Sequence, residues 1–248
     1  MSELRGRTAL ISGGGTGLGR EMTGALQRAG VRVIACGRRP EPLRESGADR
    51  WELCDVADPE SVEALRAELD EEQISILVNN AGIAGPTAPL VQVDPADWDE
   101  VMAINVRGTF LMCRAFLPPM IERRAGDVVN VASVSGKRPL LDRTPYCASK
   151  TAVIGITTTL AAEVGPYGIH VNTLSPGYVR SDRMDAVFAR TAAKDGRTVS
   201  DVEAEFVGRT ALHRMVEPAE VGQAVVAMLG IPGLTGADID LSAGMIAR

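Results

Sequence analysis

The sequence predicts a doubly wound α/β fold, a parallel sheet of about seven strands with helices on both faces. Three observations predict it. Short β-branched runs alternate with longer helical patterns from one end of the chain to the other. The apolar runs lack the strict polar alternation of a sheet with one wet face, so both faces are expected to be covered. No repeat, low-complexity tract or linker divides the 248 residues, and the chain reads as a single domain, 1–248.

The elements follow in order. "TALIS" is a short apolar strand, followed by a glycine-rich turn and by "REMTGALQRAG", which has helical spacing and a terminal glycine. "VRVIAC" and "WELCDV" are the next strands, and Arg39 to Trp51 leaves room for only a turn or two of helix between them. "DPESVEALRAELDEE" opens with an Asp-Pro cap and reads as a helix. "ISILVNNAG" is a near-continuous apolar strand, and "DPADWDEVMAINVRGTFLMCRAFLPPMIERR" is a long helical stretch expected to bend or tighten near Pro118 and Pro119. "GDVVNVAS", a helix beginning at "TPYCASK", "GIHVNTLSPG" and "GADIDLS" complete the series. Only the segment from 181 to 214 lacks apolar strands. It is charged, interrupted by "KDGR", and reads as two short helices, either a lid over a ligand or a solvated insertion.

Composition narrows the function. A net charge of -6 disfavours a nucleic-acid partner. No run of eighteen apolar residues occurs, so no membrane span is expected, and the mixed charges of "MSELRGR" before a short apolar run argue against a signal peptide. A cytoplasmic location is the expectation. Four scattered cysteines without C-x-x-C, and only two histidines, argue against a metal site, a disulfide framework or histidine-based hydrolysis.

The first strand leads into Gly13, Gly17 and Gly19 and then a helix. Glycines allow a tight turn and close approach to a diphosphate, while a helix N-terminus offers unpaired N–H groups. The spacing is G-x-x-x-G-x-G rather than G-x-G-x-x-G, yet its place at the first strand favours a nucleotide over a plain turn. The second strand ends at Gly37, where an NAD site usually has a carboxylate, and Arg38 and Arg39 follow. A guanidinium binds a 2′-phosphate bidentately, so NADP(H) is predicted, with NAD(H) as the alternative. Asp55, after the third strand, is suited to accept from an adenine amino group, and "NNAG" lets the chain pass close to the cofactor at Gly82.

Tyr146 and Lys150 stand four residues apart on a helix, so both reach the same space. A carbonyl that receives hydride accumulates charge on oxygen and needs a proton donor in reach. A free tyrosine holds its proton to about pH 10, and a neighbouring ammonium together with an oxidised nicotinamide would lower that value. An isolated Y-x-x-x-K is more often a surface pair, so the rest of the chain has to decide.

"SGGGTGLG", "NNAG", Asn105 in "AINVRG", Ser133 in "VVNVAS", "YCASK" and "SPGYVRS" together resemble the short-chain dehydrogenase/reductase family, in its order and over essentially the whole chain. The resemblance implies a Rossmann-type fold, an assembly that is a homotetramer or homodimer, and hydride exchange between a nicotinamide and a ketone or secondary alcohol. It implies Ser133, Tyr146 and Lys150 as the reactive triad and Asn105 as the holder of a relay water. It implies cofactor contacts at Gly13, Thr16, Gly17, Leu18, Gly19, Arg38, Arg39, Asp55, Val56, Asn79, Ala81, Gly82, Tyr146, Lys150, Pro176, Gly177, Val179 and Ser181. Ser181 stands where the family commonly has threonine on the nicotinamide carboxamide. Leu140, Leu141, Met184 and Phe188 suggest a partly apolar substrate pocket. Arg138, Arg143, Arg180 and Arg183 would permit an anionic group, although surface arginines are more often simply solvated. A reductase of carrier-bound 3-oxoacyl groups is one version of this reading. A nucleotide-sensing regulator or a non-redox isomerase stands further off, since both Tyr146 and Lys150 are present.

Overall fold

The computed structural model describes residues 4–245. Its strands are β1 (Thr8–Ser12), β2 (Arg32–Gly37), β3 (Arg50–Leu53), β4 (Ile74–Asn79), β5 (Gly126–Val131), β6 (Ile169–Pro176) and β7 (Asp238–Leu241). They form one seven-stranded sheet in the order β3-β2-β1-β4-β5-β6-β7, every neighbouring pair parallel. The helices are α1 (Gly17–Arg28), α2 (Pro40–Arg44), α3 (Pro59–Glu68), α4 (Pro95–Met102), α5 (Gly108–Arg123), α6 (Thr144–Val164), α7 (Asp182–Asp195), α8 (Val199–Gly208) and α9 (Pro218–Leu229).

The near-continuous apolar strands have the burial that their composition requires. All five residues of β1 are buried. Successive side chains point to opposite faces. Leu10 therefore joins Val62, Leu65, Met112 and Phe116 beneath α3 and α5, while Ile11 joins Met22, Leu26, Val221 and Val225 beneath α1 and α9. Each such large side chain contributes about 1.5–3 kcal/mol on burial. The Asp-Pro starts behave as predicted. Asp58 accepts from the Glu60 N–H at 3.1 Å ahead of α3, and Asp94 accepts from the Ala96 N–H at 2.8 Å ahead of α4.

The long helical stretch differs from expectation. Its irregularity is a π turn over Ala103–Arg107 between α4 and α5, while Pro118 and Pro119 lie inside a continuous α5. The cause is a side chain. Asn105 points inward and bonds the main chain at Ile83, and the extra residue of a π turn accommodates that inward aim.

From β1 the chain builds outward through β2 and β3, then returns to place β4 on the other side of β1. That reversal opens a crevice at the carboxyl ends of β1 and β4, the usual ligand position in open α/β sheets. Beyond β6, α7 and α8 share a small core of Phe188, Ala192, Val202 and Met215.

Candidate active site

The crevice is lined by Gly13, Gly15, Thr16, Arg38, Arg39, Pro42, Leu43, Cys54, Asp55, Val56, Ala81, Gly82, Ile83 and Ile104. Eight predicted cofactor positions thus meet in one cleft. Gly17, Leu18 and Gly19 form the first turn of α1 beside it. At Gly19 a Cβ would collide with the Gly13 carbonyl, so only glycine allows this turn to close. Unlike α3, α4, α7 and α8, α1 begins without a capping side-chain bond, and its first turn holds no acidic residue. Its first N–H groups and positive dipole end remain available to an anion, which fits a nucleotide diphosphate. Arg38 and Arg39 are exposed at the outer end, without an ion pair among the described residues.

The two asparagines of "NNAG" divide their work. Asn79 does not face the cleft. Its Nδ2 donates to Asn130 Oδ1 at 2.8 Å inside the sheet, which leaves its main chain for the expected cofactor contact. Asn80, which the sequence reading did not single out, donates to the Ser12 and Gly13 carbonyls at 3.1 and 3.2 Å and so staples the loop after β4 to the glycine turn. The Ser12 hydroxyl in turn accepts from the Asn80 and Ala81 N–H groups, both at 3.1 Å.

At Gly82 the nucleotide cleft meets the reactive centre. A Cβ there would lie 3.1 Å from Asn105 Oδ1 and 3.5 Å from Lys150 Nζ, so a side chain would fill the space between them. Tyr146 and Lys150 share a face of α6, with Lys150 Nζ 5.8 Å from the Tyr146 ring centroid. Ser133 stands near enough to the phenol to act on its acidity, and its hydroxyl accepts from the Ser135 N–H at 3.1 Å as it caps the turn after β5. Lys150 is buried and donates to the Val131 carbonyl at 2.8 Å. Asn105 Oδ1 accepts from the Ile83 N–H at 2.8 Å, and its Nδ2 donates to the Ile83 carbonyl and to Ser149 Oγ, both at 2.9 Å. Both amide hydrogens are therefore spent, and any water held by Asn105 must bond to one of its oxygens. Ser149 passes the connection on, donating to the Tyr146 carbonyl at 2.8 Å. Ser149 sits within "YCASK" but was not recognised from sequence, because a small residue beside a reactive one has no separate signal.

Burial governs the electrostatics of this pair. Tyr146 is half-buried. Lost hydration raises its pKa, outweighing the opposing effects of the Ser133 hydroxyl and of the Arg183 and Arg143 charges. Burial, and then the Arg183 charge, bring the Lys150 ammonium down to about 8.

The remaining predicted positions follow β6. Pro176 ends that strand, Gly177 packs against Ser242, Val179 bridges to Val216, and Ser181 caps α7 by accepting from the Met184 N–H at 3.3 Å. A larger depression lined by Asp99, Met102, Val106 and Phe110 lies on the outer side of α4 and α5, and it contains none of these reactive groups.

The chain is similar to known proteins in sequence and in fold. A family model described as short chain dehydrogenase matches residues 7–192. D-threitol dehydrogenase of Mycolicibacterium smegmatis is 39% identical over 189 residues, 72% of this chain and 72% of that protein. Among solved structures, a variant of the actinorhodin polyketide ketoreductase with NADPH has a TM-score of 0.89 at 30% identity, over 96% of this chain and 97% of the other. NAD+-bound xylitol dehydrogenase likewise has a TM-score of 0.89, at 28% identity, over 98% of this chain and 100% of the other.

Proposed function

The chain belongs to the short-chain dehydrogenase family, and on that premise we propose that it is an NADP(H)-dependent oxidoreductase interconverting a ketone and a secondary alcohol. The observation that carries this reading is the joining of two sites at Gly82, a cleft suited to a nucleotide on one side and Lys150, which shares a helix face with Tyr146, on the other. When bound, the reduced nicotinamide supplies a hydride to the carbonyl carbon. Ser133 donates to the substrate oxygen and holds it against Tyr146. As the C=O electrons move onto that oxygen, Tyr146 gives up its proton and the alcohol forms. Lys150, with N–H groups beyond its bond to Val131, stabilises the phenolate left behind and holds the nicotinamide ribose. The phenolate regains its proton from solvent through a water on an oxygen of Asn105. In the direction of oxidation the same groups act in reverse.

The choice of NADP(H) rests on Gly37, Arg38 and Arg39. The end of β2 brings no carboxylate to repel a 2′-phosphate, and two guanidinium groups without ion-pair partners among the described residues stand beside the cleft. The similarity to NAD+-bound xylitol dehydrogenase keeps NAD(H) as the second reading. Arg38→Ala is expected to raise the NADP(H) Kd by about 10-fold or more, the loss of a charge-assisted bond, and to leave the NAD(H) Kd nearly unchanged. Fluorescence titration with both nucleotides measures this, and equal effects on the two would remove the phosphate assignment.

The segment 181–214 is the lid of this reading. It follows the carboxyl end of β6, and its helices pack on each other around Phe188 and Val202. Hydrogen exchange should show its amides becoming protected when NADP(H) binds. Exchange unchanged by saturating nucleotide and product would instead make it a surface insertion.

A further inference from the structure

The protein carries a net charge of -6, yet the charges of Arg183 and Arg143 are felt at Tyr146, and that of Arg183 at Lys150. Arg143 comes just before the first turn of α6, three residues ahead of Tyr146. It is half-buried, and its Nη1 is pinned by the carbonyls of Ala84 and Gly85 at 3.2 and 3.0 Å. Asp142 before it takes a left-handed backbone, φ 61°, which directs the chain into this anchor. One guanidinium edge is thus fixed, and the other nitrogens remain available. Arg183 and Arg190, both exposed, stand seven residues apart on one face of α7, which begins shortly after the carboxyl end of β6. The charges of both reach Arg143 and depress its pKa, although burial is the larger cause.

The pairing pattern separates these arginines from the rest of the same segment. Arg180 pairs with Glu203 and Glu217, Arg197 and Arg209 with Glu205, and Arg214 with Glu220. Among the described residues, Arg143, Arg183 and Arg190 have no carboxylate within 4.0 Å. Like charges gathered near a buried Lys150 repel one another, a cost that an anionic ligand offsets. The nucleotide phosphates belong at the other end of the cleft, over the start of α1 and beside Arg38.

We infer that the substrate carries an anionic group, a carboxylate or a phosphate, held between Arg143 and Arg183 beside the Tyr146 hydroxyl. This inference rests on the oxidoreductase reading above and narrows its substrate class. Arg143 supplies the fixed contact, and Arg183 arrives with α7.

Two measurements test it. The first compares kcat/KM for matched ketones, acetoacetate with its methyl ester and dihydroxyacetone phosphate with dihydroxyacetone. The anion of at least one pair should be favoured by roughly 10-fold or more, and Arg183→Ala should cut that anion's kcat/KM by roughly 10- to 100-fold, the loss of a charge-assisted contact. The neutral partner and the KM for NADP(H) should change by less than about threefold, within the scatter of a screened surface charge. Which pair shows the preference separates carboxylate from phosphate. The second is a thermal shift with malonate or inorganic phosphate in an Arg38→Ala, Arg39→Ala background, so that the arginines assigned to the 2′-phosphate do not respond, with the Arg183-dependent part of the shift read apart from any at the start of α1. The midpoint should rise with one of these anions and cease to rise when Arg183→Ala is added. Neutral substrates favoured over anions, or a shift unaffected by Arg183→Ala, overturns the inference and leaves the oxidoreductase reading standing. An Arg183-dependent shift without turnover of any ketone supports the anion site and removes the oxidoreductase reading. An effect of Arg183→Ala on the KM for NADP(H) rather than for substrate assigns the arginine to the cofactor and overturns the inference.

Discussion

Tyr146→Phe is expected to lower kcat by roughly 10²–10⁴-fold, the usual worth of one positioned acid or base, with the Kd of NADP(H) nearly unchanged. The substitution removes only the hydroxyl, while Lys150, Ser133 and the ring remain. Because the phenol acts in the transition state, kcat and kcat/KM should fall together. The pH dependence follows from the direction of the shift. Burial holds the Tyr146 pKa above its ordinary value, so the proton is in place throughout the neutral range, ready for reduction. Oxidation needs the deprotonated form, so its rate should climb as pH rises toward the tyrosine pKa, while reduction falls over the same interval. A bound positive nicotinamide shifts that interval downward by favouring phenolate. Residual activity in the phenylalanine variant should lack the dependence that belongs to Tyr146. Steady-state rates in both directions across pH, with nucleotide titration, check each part, and a variant as active as the parent would remove the mechanism.

Much of the fold was legible because parallel strands covered on both faces must be apolar at nearly every position, and the β1 and β4 segments read that way. The Asp-Pro starts of α3 and α4 were equally local, since the capping side chain and the amide it serves are two residues apart. What escaped depended on partners far away in sequence. The π turn at Ala103–Arg107 contains Asn105, which bonds a main chain 22 residues away, and no periodicity in "AINVRG" records that. The adjacent asparagines look identical in "NNAG", yet alternation along β4 turns Asn79 into the sheet and leaves Asn80 to reach the glycine turn. The i, i+4 spacing correctly put Tyr146 and Lys150 on one face, but spacing contains no dielectric. The burial that raises the phenol and lowers the ammonium comes from the whole molecule. The arginines of the segment 181–214 were likewise visible as charges, and only the fold shows which ones find a carboxylate.

Asn105→Ala should cost about 2–4 kcal/mol of stability and also lower kcat. Asn105 is 1% exposed. Its amide satisfies both the N–H and the carbonyl of Ile83, and removing it leaves these main-chain groups and Ser149 Oγ short of a partner in a space too small for the lost bonds to be remade fully. The functional loss travels along the same contacts. Ile83 follows Gly82, whose position sets the gap between the nucleotide cleft and Lys150, and Ser149 bonds the Tyr146 carbonyl. Without Asn105, both sides of the reactive centre lose their common tether, so the KM for NADP(H) and kcat should both worsen. Asn105→Asp separates the contributions. It retains the acceptor for the Ile83 N–H but turns a lone pair, rather than a hydrogen, toward the Ile83 carbonyl, so it should be no more stable than the alanine variant at neutral pH. Protonating the carboxyl restores a donor, and its stability relative to alanine should therefore recover as pH falls. Denaturant melts of the three proteins at two pH values, with kcat and KM at each, measure this directly. An alanine variant as stable as the parent would mean that the π turn is held by its helices alone, and Asn105 would then owe its place to chemistry rather than architecture.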